Sequence, residues 1–318
     1  MLINFVKNFF VFKQYIKDFP QIANSPIVNP GLDEVMTSWT KQKGHPVVHV
    51  SALNNTHIIL TQQRFVTDST FKAQSLLEYN FFIFFINLLL ILSEDYFSYS
   101  FKNYYDFLKK LKLKHYFLSV KWHIPFTYSI ETLGSLTSFT NQVNTSNLYD
   151  KLNWVEKSVH KIIQLDKELK KDSFILGNLD MSCFYRVNYD VENWHQISKQ
   201  LQMNHKQLSA RTRAQLVSDS FSLSQATMLD ADLPLELIKY LSSEFDYLPW
   251  NVFLSRVKFY TDMLGSSQVN GDLQSYLSHL VEPYYKKLGW DEDLSQEWLD
   301  RYTIIFFYLN HPKTIQKV

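Results

Sequence analysis

Two histidines four residues apart are the first feature whose spacing could support metal chemistry. His45 and His49 are the only such pair among the ten histidines of the 318-residue chain. The surrounding HPVVHV pattern predicts a β-strand, in which four residues separate two side chains on one face by about 13 Å. Both ring nitrogens would have to lie about 2 Å from one zinc ion. We therefore interpret the pair as two histidines at a strand edge and not as metal ligands.

The single cysteine, Cys183, is the next candidate for chemistry. One cysteine cannot form a disulfide within the chain, so cysteine usage does not distinguish an oxidising from a reducing compartment. A nucleophilic thiolate needs a neighbouring base or positive charge, and the only such residue close in sequence is Arg186. We interpret Cys183 as a packed structural residue, with a nucleophilic role as the alternative.

Clustered carboxylates could serve as general acids and bases or as metal ligands. The clusters in this chain are Asp230 with Asp232, and Asp291 with Glu292 and Asp293. Each lies at a predicted helix boundary, where acidic side chains cap backbone N–H groups and interact with the helix dipole. We therefore interpret these carboxylates as capping or solvated side chains at helix ends, with a catalytic role as the alternative.

Composition limits the classes of partner. The 32 basic and 31 acidic residues nearly cancel, which argues against nucleic acid or an anionic membrane as the main partner. Residues 1–19 are apolar, but they contain three lysines and no small-residue cleavage site, so a signal peptide is not expected. Residues 81–92 are strongly apolar, but twelve helical residues are too short to cross a bilayer.

The first half of the chain has the pattern of β-strands. A short helix is predicted at 32–42, followed by a hairpin over 45–65 with its turn at the asparagines. Strict alternation of apolar and polar residues predicts one strand over 120–130, where Pro125 indicates an edge strand or a bulge. The same alternation predicts a strand over 179–189, with Met181 and Cys183 on its buried face. These strands predict a small β-sandwich.

After Asp190 the apolar spacing becomes that of helices. Four are predicted: 209–226 with Ser209 as its cap, one that begins near Asp232 with Pro234 in its first turn, one that follows YLPW and ends before Gly265, and 271–289, kinked at Pro283. Consecutive helices with short links predict an all-α helical-repeat domain, a HEAT-like superhelix.

Several segments in collinear order resemble the zinc aminopeptidases of the aminopeptidase N type, a gluzincin family. They are LDEVMTSWTKQKGHPVVHV at 32–50, KWHIPFTY at 121–128, ILGNLDMSCFYRVNYD at 175–190, and most of 207–290 with EFDYLPW and VEPYYKKLGW. Cys183 stands where the family usually has glycine. The resemblance implies the carboxy-terminal half of such an enzyme only.

The zinc site of that family is missing from the sequence. The family uses His-Glu-x-x-His on a helix, where two imidazoles bind zinc and the glutamate activates water. None of the ten histidines is followed by glutamate, and the Gly-x-Met-Glu-Asn motif that holds a substrate's amino terminus is also missing. We therefore predict no catalytic, cofactor-binding or metal-binding residue in this chain, and zinc only in the parent family.

The resemblance also implies domain limits. Residues 32–44 correspond to the end of the catalytic-domain helices, 45–190 to the β-sandwich, and 191–298 to an incomplete ERAP-like carboxy-terminal helical domain. Residues 1–31 and 299–318 have no counterpart. An incomplete superhelix would leave an apolar face uncovered, which favours self-association through the helical domain.

Residues 79–118 form an insertion without a counterpart in the family. They contain fourteen Phe or Tyr residues and a lysine cluster at 109, 110, 112 and 114. One interpretation is a segment that binds a membrane interface or a partner. The other is translated AT-rich noncoding sequence from a splicing or gene-model error.

The family motif YRVNYD contains residues that could bind substrate or join domains. Tyr185, Arg186 and Tyr189 are interpreted as structural, with an exposed Arg186 that bridges domains through a carboxylate. The tryptophans near the predicted helix starts are interpreted as core anchors. These are Trp194, Trp250 and Trp290.

Two functions follow from the residues and the resemblance. The first is the non-catalytic carboxy-terminal portion of a zinc aminopeptidase, which forms scaffold and wall of the peptide-substrate cavity. The second is a stand-alone, non-enzymatic peptide-binding or dimerisation module. The resemblance implies a plasma-membrane ectodomain or a secreted protein, with a cytoplasmic location as the alternative.

Overall fold

The computed structural model describes residues 32–67, 120–134, 153–157, 160–265 and 267–288. This part of the chain contains eight β-strands and six α-helices. One helix precedes the strands and five follow them, which agrees with the predicted order of strands and then helices. The assignment of the strands to a β-sandwich and of the helices to a HEAT-like superhelix stays a prediction.

The predicted first helix and hairpin are present. Helix α1 covers Leu32–Thr40, and strands β1, Pro46–Asn54, and β2, His57–Arg64, pair antiparallel. The side-chain oxygen of Asn54 accepts hydrogen bonds from the backbone N–H and the hydroxyl of Thr56 at 2.9 and 3.0 Å. Asparagine often stabilises turns in this way, so local chemistry is sufficient to place this turn.

The largest sheet is completed by a strand from much later in the chain. The remaining strands are β3 Ile124–Phe126, β4 Tyr128–Thr132, β5 Asn153–Val155, β6 His160–Gln164, β7 Ser173–Gly177 and β8 Arg186–Tyr189. The four-stranded sheet has the order β6-β2-β1-β8, and β8 runs parallel to β1 with Val47 opposite Arg186. Two further antiparallel ladders pair β3 with β5 and β4 with β7.

The prediction of one continuous strand over 120–130 is wrong, because the strand is interrupted at Thr127. The carbonyl of Thr127 accepts a hydrogen bond from the Asn178 backbone N–H at 2.9 Å, and its hydroxyl accepts one from Leu179 at 3.0 Å. The two halves pair with different strands, β5 and β7. Pro125 lies in β3, which has only the one ladder in the described residues, as the edge-strand prediction requires.

The buried face also changes at this interruption. Ile124 and Phe126 are buried in β3, whereas Ser129 and Glu131 are the buried residues of β4. A one-residue change of phase moves every side chain to the opposite face of a strand. The predicted division into one buried apolar face and one exposed polar face is therefore wrong beyond Phe126.

The predicted strand over 179–189 is correct only for its last four residues. Asn178, Asp180 and Met181 have φ angles of 54°, 52° and 55°, and a left-handed backbone cannot continue a strand. The buried Asn178 side chain holds this turn: its Nδ2 donates to the carbonyls of Cys183 and Tyr185 at 2.9 and 3.0 Å, and its Oδ1 accepts from the Cys183 N–H at 2.9 Å. Met181, predicted to be buried, is 55% exposed.

Five helices follow the strands. They are α2 Val191–Asn204, α3 Ala210–Gln225, α4 Asp232–Leu237, α5 Tyr247–Leu264 and α6 Asn270–Leu288. Ser209 caps α3 as predicted, since its hydroxyl accepts the Thr212 N–H at 3.1 Å. Pro234 lies in the first turn of α4, which continues as a 3-10 helix over Ile238–Ser243. Pro283 lies inside α6, and the kink there stays a prediction.

One continuous apolar core joins the sheets to the helices. Helix α1 is held against the segment before β3 by hydrogen bonds as well as by packing. Trp39 donates its indole N–H to the carbonyl of His123 at 2.8 Å, and the His123 N–H donates to Ser38 at 3.2 Å. The ring of Trp39 lies 6.3 Å from that of the fully buried Trp122. The short first helix is thus part of the same folded unit as the strands.

Several predictions fall outside the described residues. They concern the segments 1–31, 79–118 and 299–318, and the residues Trp290, Asp291, Glu292 and Asp293. Within the described ranges, none of the helices is both long enough and apolar enough to span a membrane.

Candidate functional site

A salt bridge joins the four-stranded sheet to the helices. The Nη1 atom of Arg186, at the start of β8, lies 2.7 Å from Oδ1 of Asp219 in α3. The second oxygen of Asp219 accepts the backbone N–H of Val187 at 3.1 Å. The two side chains are 15% and 6% exposed. The predicted pairing of Arg186 with a carboxylate is confirmed, but its predicted exposure is wrong.

A second arginine approaches the same place from α5. Arg256 donates from Nη2 to the hydroxyl oxygen of Ser218 at 3.3 Å, and Arg186 donates to that oxygen at 3.2 Å. Burial and the neighbouring Arg186 lower the pKa of Arg256, which Asp219 partly opposes. Burial raises the pKa of Asp219, and Arg186 opposes that rise. We call Arg186, Arg256, Ser218 and Asp219 the arginine junction.

Aromatic rings line one side of the arginine junction. The guanidinium carbon of Arg186 lies 4.9 Å from the centre of the Phe65 ring, a cation–π distance. Phe65 stacks on His45 at 5.1 Å, and His45 contacts the partly exposed Phe184 at 5.2 Å. Burial, followed by the charges of Arg186 and Arg256, lowers the pKa of His45 to about 4. The imidazole is therefore neutral at pH 7.

A separate buried network surrounds Arg213 in α3. Its Nε and Nη2 atoms donate to the two oxygens of Glu244 at 2.6 and 3.1 Å. It also donates to the carboxylate of Asp246 and to the carbonyl of Leu208. Arg213 and Glu244 are 3% and 1% exposed. This bidentate pair holds α3 against the segment that leads into α5 and is structural.

The histidines singled out in the sequence do not converge. His45 stacks between aromatic rings, whereas His49 contacts Gln63 at 2.8 Å and Asn188 at 3.4 Å. Within the described ranges, no group of three or more His, Cys, Asp or Glu side chains could hold a metal ion.

Cys183 lies in the turn held by Asn178. Burial raises the pKa of its thiol, so the thiolate needed for nucleophilic attack is disfavoured. The surroundings favour the structural interpretation made from the sequence, although the residue lies in a turn and not in a strand.

The aromatic residues of the YRVNYD segment are buried. Tyr185 donates its hydroxyl to the carbonyl of Pro125 at 3.3 Å, and the hydroxyl of Tyr189 accepts the Gly177 N–H at 2.9 Å. Trp194 and Trp250 are at most 1% exposed. These positions confirm that Trp194 and Trp250 are core anchors and support a structural role for both tyrosines.

The carboxylates Asp230 and Asp232 are exposed, and Asp232 is the first residue of α4. This agrees with solvation at a helix end. The charged residues that the structure brings together were not identified from the sequence: Arg213, Asp219, Glu244 and Arg256. Arg213 and Glu244 are 31 residues apart, and no local pattern connects them.

Comparison with known proteins gives a consistent result. Residues 174–318 match the family model described as the ERAP1-like C-terminal domain. The human thyrotropin-releasing hormone-degrading ectoenzyme is 32% identical over 277 residues, which cover 85% of this chain and 21% of that protein. Rat glutamyl aminopeptidase is 28% identical over 265 residues, covering 83% of this chain and 22% of that protein. Aminopeptidase N of Plutella xylostella is 26% identical over 268 residues, covering 84% of this chain and 22% of that protein. The chain thus spans about one fifth of the length of these relatives.

Proposed function

We propose that this chain is the non-catalytic portion of a metalloaminopeptidase. The premise is its relation to the carboxy-terminal region of the aminopeptidase N type enzymes. In this role the chain acts as a scaffold and forms part of the wall of the peptide-substrate cavity. The observation that carries the proposal is the single apolar core that joins the sheets to the helices, with the Arg186–Asp219 pair across the joint. A rigid joint of this kind is what a scaffold between other domains requires.

The proposed parent activity is the removal of amino-terminal residues from peptides. It rests on the names of the relatives, which are aminopeptidases and a hormone-degrading ectoenzyme. Zinc would be held by the parent's catalytic domain, since this sequence has no His-Glu-x-x-His. We assign no hydrolytic step to the residues of this chain.

The proposed domain limits and location follow the same premise. Residues 32–44 would end the catalytic-domain helices, 45–190 would form the β-sandwich, and 191–298 would begin the ERAP-like helical domain. The word ectoenzyme in the name of one relative supports an extracellular location. A cytoplasmic location is the alternative.

Complementation in trans tests the scaffold proposal. The chain would be co-expressed with the catalytic portion of a related aminopeptidase that lacks its own carboxy-terminal region, and release of a chromogenic amine from an aminoacyl substrate would be measured. We expect a 1:1 complex with activity above that of the catalytic portion alone, and no zinc in the purified chain by elemental analysis. Turnover by the chain alone at the rate of an ordinary peptidase would overturn the proposal.

The alternative, a stand-alone peptide-binding or dimerisation module, predicts a different result. No complex would form with the catalytic portion, and the chain would be a dimer in analytical ultracentrifugation. Genomic DNA upstream adds an independent test, because an open frame encoding His-Glu-x-x-His supports the scaffold and its absence supports the module.

A further inference from the structure

Positive charge exceeds negative charge at the arginine junction. Arg186 and Arg256 contribute two positive charges, and Asp219 is the only carboxylate among the described residues that acts on Arg256. His45 is neutral there at pH 7. Among the described residues, one positive charge is therefore left unbalanced in a site that is partly withdrawn from water.

The hydrogen-bond donors at the junction are also in excess. Each oxygen of Asp219 already accepts one hydrogen bond, from Arg186 and from the Val187 N–H. The buried Nε of Arg186 has no hydrogen-bond acceptor, and Arg256 makes one hydrogen bond, to Ser218, in the described part of the chain. A buried donor without an acceptor costs about 1–3 kcal/mol. The site is thus built to accept one more anionic group.

We propose that the arginine junction binds one carboxylate group of a polypeptide, through Arg256 and Arg186. The Ser218 hydroxyl accepts from both arginines and can donate its own proton to the bound oxygen. The planar guanidinium group matches a carboxylate in a bidentate arrangement.

The charge and the surroundings favour a carboxylate over a phosphate. One unbalanced positive charge matches a monoanion, whereas a phosphate group at pH 7 would bring close to two negative charges. The ring of Phe184 is 40% exposed beside His45, so the carbon atoms next to a bound carboxylate have an apolar surface to cover.

An NMR titration of the full chain tests this proposal. Acetate would be added at constant ionic strength, with chloride as the exchanged anion, and the arginine Nε–H resonances would be followed. We expect a saturable shift at Arg186 and Arg256, and an affinity at least tenfold weaker in Arg256→Gln. Lys258→Gln is the matched control, because it removes one charge from an exposed position on the same helix and should bind acetate like the original chain.

Three model compounds distinguish the sources of the carboxylate. N-acetylphenylalanine offers a chain-terminal carboxylate, N-acetylglutamic acid α-amide offers a side-chain carboxylate, and N-acetylphenylalaninamide offers neither. Binding of either acid supports the proposal and identifies the source, and the amide should not bind. No saturable shift, equal binding by Arg256→Gln, or tighter binding of inorganic phosphate than of acetate would each overturn it. Because the titration needs no catalytic domain, its failure is separable from failure of the complementation test.

Discussion

The buried Arg213 and the partly buried Arg186 belong to the same helix-and-sheet core but have opposite charge environments. Arg213, within the helical region, faces the two carboxylates of Glu244 and Asp246. Arg186, where the sheet meets the helices, shares the one carboxylate of Asp219 with Arg256. The first group carries an excess of negative charge and the second an excess of positive charge.

This difference separates a structural role from a binding role. In the Arg213 group the guanidinium nitrogens are matched by carboxylate and carbonyl oxygens, so the group is complete within the chain. In the arginine junction both oxygens of Asp219 accept hydrogen bonds, but Arg186 still has a buried donor without an acceptor. A buried arginine is therefore evidence of function only when its surroundings leave donors and charge unbalanced.

The largest effect is expected from Arg213→Met. Glu244, at 1% exposure, would lose its bidentate partner and keep the backbone N–H groups of Phe245 and Asp246. Removal of one partner of a buried pair costs about 3–5 kcal/mol, measured as the free energy of unfolding in urea. Arg211→Met, at an exposed position of the same helix, should change it by less than about 0.5 kcal/mol. Equal effects in the two variants would contradict the assignment of Arg213 as the residue that holds α3 against the segment before α5.

A smaller but clear loss is expected from Asp219→Asn. The amide keeps the shape but leaves Arg186 and Arg256 without an anion, and a hydrogen bond to a charged group contributes about 1.5–3 kcal/mol. Urea unfolding of Asp219→Asn, Arg186→Met and the double variant completes a cycle. We expect a coupling of at least about 1 kcal/mol; simple additivity would show that the pair does not join sheet and helices.

Replacement of Arg256 by glutamine tests whether this arginine, unlike Arg213, contributes little to the stability of the fold. Because Arg256 lies close to a like charge and makes one hydrogen bond at 3.3 Å, its loss should change the free energy of unfolding by less than about 0.5 kcal/mol. Thermal and urea unfolding measure this directly. A loss comparable with that of Arg213→Met would mean that Arg256 is needed for folding, which would contradict its assignment to ligand binding.

The smallest effect is a shift in the titration of His45. Its pKa is lowered to about 4 by burial and by the charges of Arg186 and Arg256. Since the unfolded imidazole has a pKa of about 6.5, the folded form loses stability as the pH falls from about 6.5 towards 4. Imidazole carbon-bound proton resonances should titrate near pH 4 in the original chain and at higher pH in Arg256→Gln. An unchanged midpoint would separate His45 from the charge of the junction.

Local signals allowed part of the fold to be predicted. Asparagines placed the first hairpin, and Ser209 placed the start of α3, because a turn and a cap depend on neighbouring residues. The alternation over 179–189 was misleading because Asn178 forms side-chain hydrogen bonds that favour a left-handed turn. Period-two spacing alone does not reveal such a competing interaction.

The candidate site was harder to predict than the elements that carry it. The motif that contains Arg186 was recognised, but its partner Asp219 is 33 residues away and lies in a helix without an obvious polar face. Arg256 had no distinguishing sequence pattern. Ion pairs between distant elements depend on the three-dimensional packing, and one sequence contains no direct record of them.

The parallel pairing of β8 with β1 has a consequence for biosynthesis. His49 and its neighbour in the sheet, Asn188, are 139 residues apart, and ribosomes add about 5–20 residues per second. The edge of β1 therefore stays without its partner for roughly 7–30 s during translation. Over that interval the nascent hairpin displays an open strand edge, which can pair with an edge of a neighbouring nascent chain until β8 has left the exit tunnel.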